Sequence, residues 1–310
     1  MRNHRCTHRA FPGGAPEKSP RRSRRRVTIR EAIRSAAERL EVHHVSNARL
    51  SAELLLAHCL SVEREYLYTH DERVLADLEI QALEEAVYDR IHGVPLQYIV
   101  GRQEFYGRYF LVSPAVLIPR PETEHIVEAV LQIHKAAGQA SHPRILDVGT
   151  GSGCIAVTLA LEIPGAEVFA GDISEAALQV ARINASALGA SVSFMCMDVV
   201  DATVSQFEFI VSNPPYVGRG DIHRLQREVR EYEPHVALFS PDDELEVYRR
   251  LVAGAERVLS AGGYLLMEIG IGMDERVLEL FNARWEKLPV KTDLQGLPRT
   301  VIARRRGSET

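Results

Sequence analysis

From residue 120 onward the chain alternates short apolar runs with helix-like segments, and that alternation constrains its fold more than any other feature. The strand-like runs are "RILDVG" (144–149), "EVFAGD" (167–172), "SVSFMC" (191–196), "FEFIVS" (207–212), "YLLMEIG" (264–270) and "TVIARR" (300–305). Helical segments are expected near 152–161, 174–188, 244–260 and 273–284. Strands joined by crossover helices pair in parallel and pack helices on both faces, so the order predicts an α/β fold with a largely parallel, doubly wound sheet. In such sheets ligands bind beyond the carboxyl ends of the strands, and the loops after residues 149, 172, 197 and 212 should therefore converge.

The chemistry at those strand ends is uneven in charge. The first loop, "DVGTGSGCIAV", carries glycines at 149, 151 and 153, which permit positive φ and close approach of a ligand to backbone. A dinucleotide fingerprint would place glycine where Cys154 stands, and Asp147 would set a carboxylate near a pyrophosphate. A cationic cofactor fits better, and S-adenosylmethionine carries both an ammonium and a sulfonium. The second strand ends in Asp172, 23 residues after Gly149, where a carboxylate can accept both hydroxyls of a ribose. The third ends at Met197 and Asp198, where Asp198 could contact an adenine amino group or cap a turn, with Val199 lining the base.

The fourth strand runs into Asn213-Pro214-Pro215-Tyr216, and two prolines in succession cannot extend a hydrogen-bonded ladder. An amide or aromatic amine is a poor nucleophile because its lone pair is delocalised. The Asn213 side-chain oxygen and the Pro214 carbonyl offer two acceptors for its N–H bonds, the prolines stiffen them, and the Tyr216 ring could pack on a flat substrate. The motif reads as a clamp for a planar –NH₂ group, with Asn213 as the catalytic residue.

Ahead of this region, "TIREAIRSAAERL" opens with Thr28 and Glu31 in capping-box spacing and keeps Ile29, Ile33, Ala37 and Leu40 near one face. "SNARLSAELLLAHCL" offers Ser46 as an N-cap. "DLEIQALEEAVYDRIHG" places Ile80, Leu83, Val87 and Ile91 on one face and stops at Gly93. The expected organisation is a disordered basic tail over 1–26, a helical substrate-recognition domain over 27–95, a hairpin linker over 96–118 and a cofactor-binding domain over 119–310. Residues 1–26 hold nine Lys/Arg against Glu17, which leaves the remainder at −13 within a chain total of −5. That acidic body argues against a nucleic-acid surface. Cys6, Cys59, Cys154 and Cys196 show no paired spacing, so free thiols in a reducing cytoplasm are expected, and His4, Cys6 and His8 make a poor metal cluster. No apolar run approaches the roughly 18 residues of a membrane span.

Over roughly residues 28–305 the chain resembles the HemK/PrmC protein-glutamine N5-methyltransferases. The matching text is "GVPLQYIVGRQEFYG", "VLIPRPETE", "ILDVGTGSGCIAV", "SNPPYV", "EYEPHVAL" and "DLQGLPR", in family order. The resemblance implies a seven-stranded, Rossmann-like S-adenosylmethionine-dependent methyltransferase domain behind an N-terminal helical domain. It implies cofactor contacts at Gly149, Thr150, Gly151, Ser152, Gly153, Asp172, Asn213 and, on the adenine side, Val199, and substrate contacts from Asn213 through Tyr216. The implied substrate is the glutamine of the Gly-Gly-Gln motif in class-I peptide chain release factors, methylated by a cytoplasmic monomer needing neither nucleic acid nor membrane. The chain departs from the family pattern at Asp243-Glu244-Leu245 and at Met273. The competing readings are a glutamine methyltransferase acting on a ribosomal protein, an adenine-N6 methyltransferase acting on nucleic acid, and a non-catalytic partner of translation factors that binds the cofactor.

Overall fold

The computed structural model describes residues 26–138, 142–200, 206–240 and 243–307. The expected basic tail, Arg26 apart, and the His4, Cys6 and His8 group lie outside the described residues.

Helix α1 (Ile29–Val42) starts where the capping box places it: the Thr28 side chain accepts from Glu31 N while the Glu31 carboxylate accepts from Thr28 N. Its buried face is Ile29, Ala32, Ala36 and Leu40, slightly rotated from the expected stripe, because α1 packs against both α2 (Ala48–Leu60) and α4 (Asp77–Ile91). α2 is capped by Asn47 in the left-handed region, not by Ser46; Asn tolerates positive φ better than most residues. The short α3 (Arg64–Thr69) was not expected. α4 ends at His92, and Gly93 follows at φ +99°, the C′ position anticipated for it. Ile29, Leu40, Leu55, Leu56 and Val87 are fully buried in this helical core. A short α5 (Leu96–Val100) then leads into an antiparallel hairpin of β1 (Arg102–Phe105) and β2 (Arg108–Leu111).

The rest is a sheet with helices on both faces. In chain order come α6 (Glu124–Ala136), β3 (Arg144–Val148), α7 (Cys154–Glu162), β4 (Glu167–Asp172), α8 (Glu175–Leu188), β5 (Val192–Cys196) and β6 (Phe207–Ser212). The short α9 (Arg227–Tyr232) and α10 (His235–Leu238), then α11 (Glu246–Val258), β7 (Leu259–Glu268), α12 (Asp274–Leu278), β8 (Trp285–Lys287), β9 (Lys291–Thr292) and β10 (Pro298–Arg305) complete it. The sheet order is β5-β4-β3-β6-β7-β10-β8, seven strands, with β9 attached to β10 as an eighth. β5 through β7 are mutually parallel and β10 runs antiparallel to β7 and β8. The chain lays β4 and β5 on one side of β3 and returns to place β6 on the other, so a crevice opens above the ends of β3 and β6.

Three details depart from expectation. The last helix, expected over 273–284, stops at Leu278, and Phe281 and Trp285 turn inward with their rings edge-on at 5.3 Å. β7 begins at Leu259, earlier than expected, with a register shift opposite β6 where Gly263 lies so close to the carbonyls of Phe207 and Ser260 that a Cβ would meet each at 3.0 Å. The brief β8 and β9 carry too few apolar residues to register as strands in the sequence. Among the described residues, no helix is long and apolar enough to cross a membrane.

The hairpin is bolted to the sheet domain at several points: Tyr106 N donates to Glu124 Oε1 at 2.8 Å, Arg108 pairs with Glu162 at 2.5 Å, and Asn184 makes three hydrogen bonds. Asn184, buried on α8, accepts from Leu111 N at 2.7 Å and donates from Nδ2 to Leu111 O at 3.0 Å and to Ser152 O at 2.8 Å. Replacing it orphans groups in both the hairpin and the glycine loop. Asn184→Leu is expected to lower unfolding stability by about 2 kcal/mol, read as a lower midpoint in urea at unchanged slope; an unchanged midpoint contradicts the bolt.

Candidate active site

β3 delivers the glycine loop to the crevice. Gly149, Gly151 and Gly153 have φ of +72°, +54° and +81°. The amides of Gly149 and Thr150 donate to the Gly171 carbonyl on β4 at 2.9 and 3.0 Å, which pins the loop to the neighbouring strand. A Cβ at Gly153 would approach Ala181 Cβ to 3.1 Å, so that glycine serves helix packing. Around Gly149 and Gly151 a Cβ would meet nothing within 4 Å, so space beside the loop is open for a ligand. Thr150 and Ser152 are buried beneath it.

Asp147 braces the loop from below. Its Oδ2 accepts from Thr150 Oγ1 at 2.7 Å and from Ala156 N at 3.2 Å, while the buried Oδ1 takes no hydrogen bond among the described residues. Burial pushes this carboxyl up to about 7. Asp172, at the end of β4, accepts from Gly151 N and Ser174 N, each at 2.9 Å. Burial holds it above the ordinary carboxylate range. A carboxylate offers about four acceptor sites, so lone pairs remain for a diol. Both glycine loop and Asp172 line one cavity with Met197, Asp198 and Val199. Asp198 Oδ2 pairs with Arg250 of α11 at 2.8 Å. Val199 sits at φ +58°, a costly region for a β-branched residue, at the cavity wall.

The same cavity is closed by Asn213, Pro214 and Pro215. β6 ends at Ser212, whose hydroxyl donates to the Val148 carbonyl at 2.8 Å, holding the strand ends side by side. Asn213 Nδ2 donates to Thr123 Oγ1 at 3.1 Å, and Thr123 Oγ1 donates to Glu268 Oε2 at 2.6 Å. Asn213 Oδ1 and the Pro214 carbonyl accept no hydrogen bond among the described residues. Tyr216, expected to stack on substrate, is not part of the cavity wall. Its ring packs behind the clamp, where a Cβ on Gly270 would come within 3.1 Å of it and 2.9 Å of Met273 Sδ. Burial, with the nearby Glu268 charge, pushes its hydroxyl up to about 12. Met273 is thus a packing partner of the clamp, and Glu244 is paired with Arg276 at 2.6 Å.

Sequence reasoning left Thr123, Glu268, Arg120 and Arg250 without roles. Thr123 and Arg120 lie inside "LIPRPETE", and Glu268 is the single acid at the end of an apolar run; those were the available signals. Arg120 also lines the cavity and pairs with buried Glu233, and Glu233 accepts from Ile118 N at 3.2 Å, so the segments before the sheet and after the clamp are joined. Among the described residues no cluster of His, Cys, Asp and Glu could hold a metal ion.

Residues 31–101 match the family model described as the PrmC N-terminal domain, and residues 129–229 match the methyltransferase small domain. A release factor glutamine methyltransferase of Koribacter versatilis is 48% identical over 273 residues, covering 87% of this chain and 96% of that protein. Proteins of the same name from Chlorobaculum tepidum and Nitratidesulfovibrio vulgaris are 43% and 40% identical, over 82% and 87% of this chain and 90% and 92% of theirs.

The carboxylate of Asp172 is expected to hold the cofactor's ribose by charged hydrogen bonds worth about 1.5–3 kcal/mol. Asp172→Ala should therefore weaken S-adenosylmethionine binding roughly 10- to 150-fold by calorimetry, and equal affinity in both proteins removes this assignment.

Proposed function

The chain belongs to the release factor glutamine methyltransferase family, and from that premise we propose that it methylates N5 of the glutamine amide in the Gly-Gly-Gln motif of class-I release factors. The observation that carries this reading is that two unused acceptors, Asn213 Oδ1 and the Pro214 carbonyl, stand at the end of β6 in the cavity that holds the glycine loop and Asp172. The residues present suit S-adenosylmethionine: bare backbone at Gly149 and Gly151, and a carboxylate with spare lone pairs at Asp172. Bound there, S-adenosylmethionine supplies a methyl group on a positively charged sulfur, which departs as a neutral thioether.

Asn213 and Pro214 would each accept one N–H of the substrate amide and turn its nitrogen toward that methyl group. Pro214 and Pro215 restrict the backbone torsions that would otherwise blur this aim. No strong base is required of the protein, because the nitrogen becomes acidic once methylated and releases its proton to water. Gly149, Thr150, Gly151, Ser152, Asp172 and Val199 would hold the cofactor, and Asp198, tethered by Arg250, stands where it could reach an adenine amino group. The helices of residues 27–95 have their own buried core and carry no excess of positive charge, which supports a role in embracing a protein substrate. We place the reaction in the cytoplasm, which the free thiols of Cys59, Cys154 and Cys196 among the described residues support.

Two measurements test the proposal. With isotope-labelled S-adenosylmethionine and a panel of purified release factors, the ribosomal proteins and nucleic acid, mass spectrometry should map the label to the Gly-Gly-Gln glutamine; preferential labelling of adenine or of a ribosomal protein overturns the substrate. Asn213→Ala should lower kcat by about 10²–10³, the usual loss for one preorganised polar group, with cofactor affinity little changed; an unaltered kcat refutes the clamp.

A further inference from the structure

An asparagine amide can present either end to a substrate. Only one end works here: a glutamine –NH₂ needs an acceptor, and a flipped Asn213 would offer it two more N–H bonds. The grip therefore depends on something that decides which way the Asn213 amide faces, and the two residues behind it are able to do so. From their geometry we infer that Thr123 and Glu268 are positioning residues that lock Asn213 with its oxygen toward the substrate.

The argument is one of proton counting. The Thr123 hydroxyl has a single proton, and an ionised Glu268 can only accept, so their 2.6 Å contact commits that proton to Glu268. Thr123 Oγ1 then faces Asn213 as an acceptor, and only Nδ2 can satisfy it, across 3.1 Å. Thr123 and Glu268 are 2% and 3% exposed, so water has little access to replace either partner. The three groups come from separate elements, the 3-10 turn Pro121–Thr123, the end of β6 and the end of β7, and no local preference brings them together.

Protonation of Glu268 reverses the logic. A neutral Glu268 can donate to Thr123, which frees the Thr123 proton to bond Asn213 Oδ1 and occupy the acceptor that the substrate needs. Burial pushes Glu268 up to about 7, with Glu122 raising it further and Arg299 and Arg120 lowering it. Tyr216, Tyr248 and Cys154 also lie within its field, all with their own ionisation pushed upward. The lock is thus set above about pH 7 and released below it.

This inference rests on Asn213 gripping the substrate amide, and the test separates the two. In substrate-free, ¹⁵N-labelled protein, the Asn213 side-chain NH₂ signals should shift as pH falls through about 7, and in Glu268→Gln that transition should vanish. In turnover on a release factor, Thr123→Val should lower kcat about tenfold, the worth of one net hydrogen bond. Cofactor affinity should hold, and Thr123→Ser should restore most of the lost rate. Glu268→Gln should also remove the acid-side fall of kcat. Asn213 signals indifferent to pH and to Glu268→Gln overturn the lock, as does a Thr123→Val protein as fast as Thr123→Ser. Absence of turnover in the parent protein instead counts against the proposed reaction and leaves the amide signals to decide the lock. Should Glu268→Gln fail to fold, the Thr123 pair and the parent titration decide.

Discussion

The ends of β3 and β6 are held side by side by strand pairing and by the Ser212 hydroxyl on the Val148 carbonyl, and the glycine loop and the Asn213–Pro214–Pro215 segment take their places from that junction. β3 cannot continue past Val148 because the glycine loop turns away into α7. β6 cannot continue past Ser212 because two prolines follow Asn213. One strand thus ends in exposed backbone against which a cofactor can lie, and its neighbour ends in two rigid acceptors. The strand order reverses at β3, with β4 and β5 on one side and β6 on the other, which opens the crevice above the two strand ends.

Burial gives this gap an unusual electrostatic character. Asp147, Asp172 and Glu268 are carboxyls raised by desolvation within a few residues of the strand ends. A site that must bind a pyrophosphate would make the opposite choice, with backbone amides and a helix terminus facing an anion. Here the cavity instead presents Asp172 beside the glycine loop, while Asp147 and Glu268 lie buried behind its wall. The same groups act as acceptors for the local backbone and hydroxyl donors that shape the site: Asp147 for Thr150 and Ala156, Asp172 for Gly151 and Ser174, Glu268 for Thr123. The carboxyls that border the site also fix its loops.

The parts of this design carried by local pattern were legible in the sequence. Strand and helix alternation, three glycines between β3 and α7, the acid ending β4 and the Asn-Pro-Pro-Tyr segment all lie within windows of a dozen residues, where periodicity and turn chemistry operate. What escaped was long-range. Asn184 reaches the hairpin across 73 positions, Thr123 meets Glu268 across 145 and Asn213 across 90. Each is an ordinary polar residue until the fold supplies its partner. Tyr216 shows the same limit from the other side: its place in the motif does not disclose its neighbours, and the fold packs its ring beside Gly270 and Met273. α12 ends at Leu278, and Phe281 and Trp285 beyond it are buried in the core.

The central claim is geometric: two acceptors at the end of β6 take the two N–H bonds of a substrate amide. A crystal structure with S-adenosylhomocysteine and a Gly-Gly-Gln peptide tests it most directly. The account predicts the glutamine amide nitrogen at about 3 Å from both Asn213 Oδ1 and the Pro214 carbonyl, facing the cofactor sulfur, with Asn213 Nδ2 still on Thr123. A glutamine bound through its carbonyl oxygen to Asn213, or one lying outside the cavity formed by the glycine loop and Asp172, contradicts it.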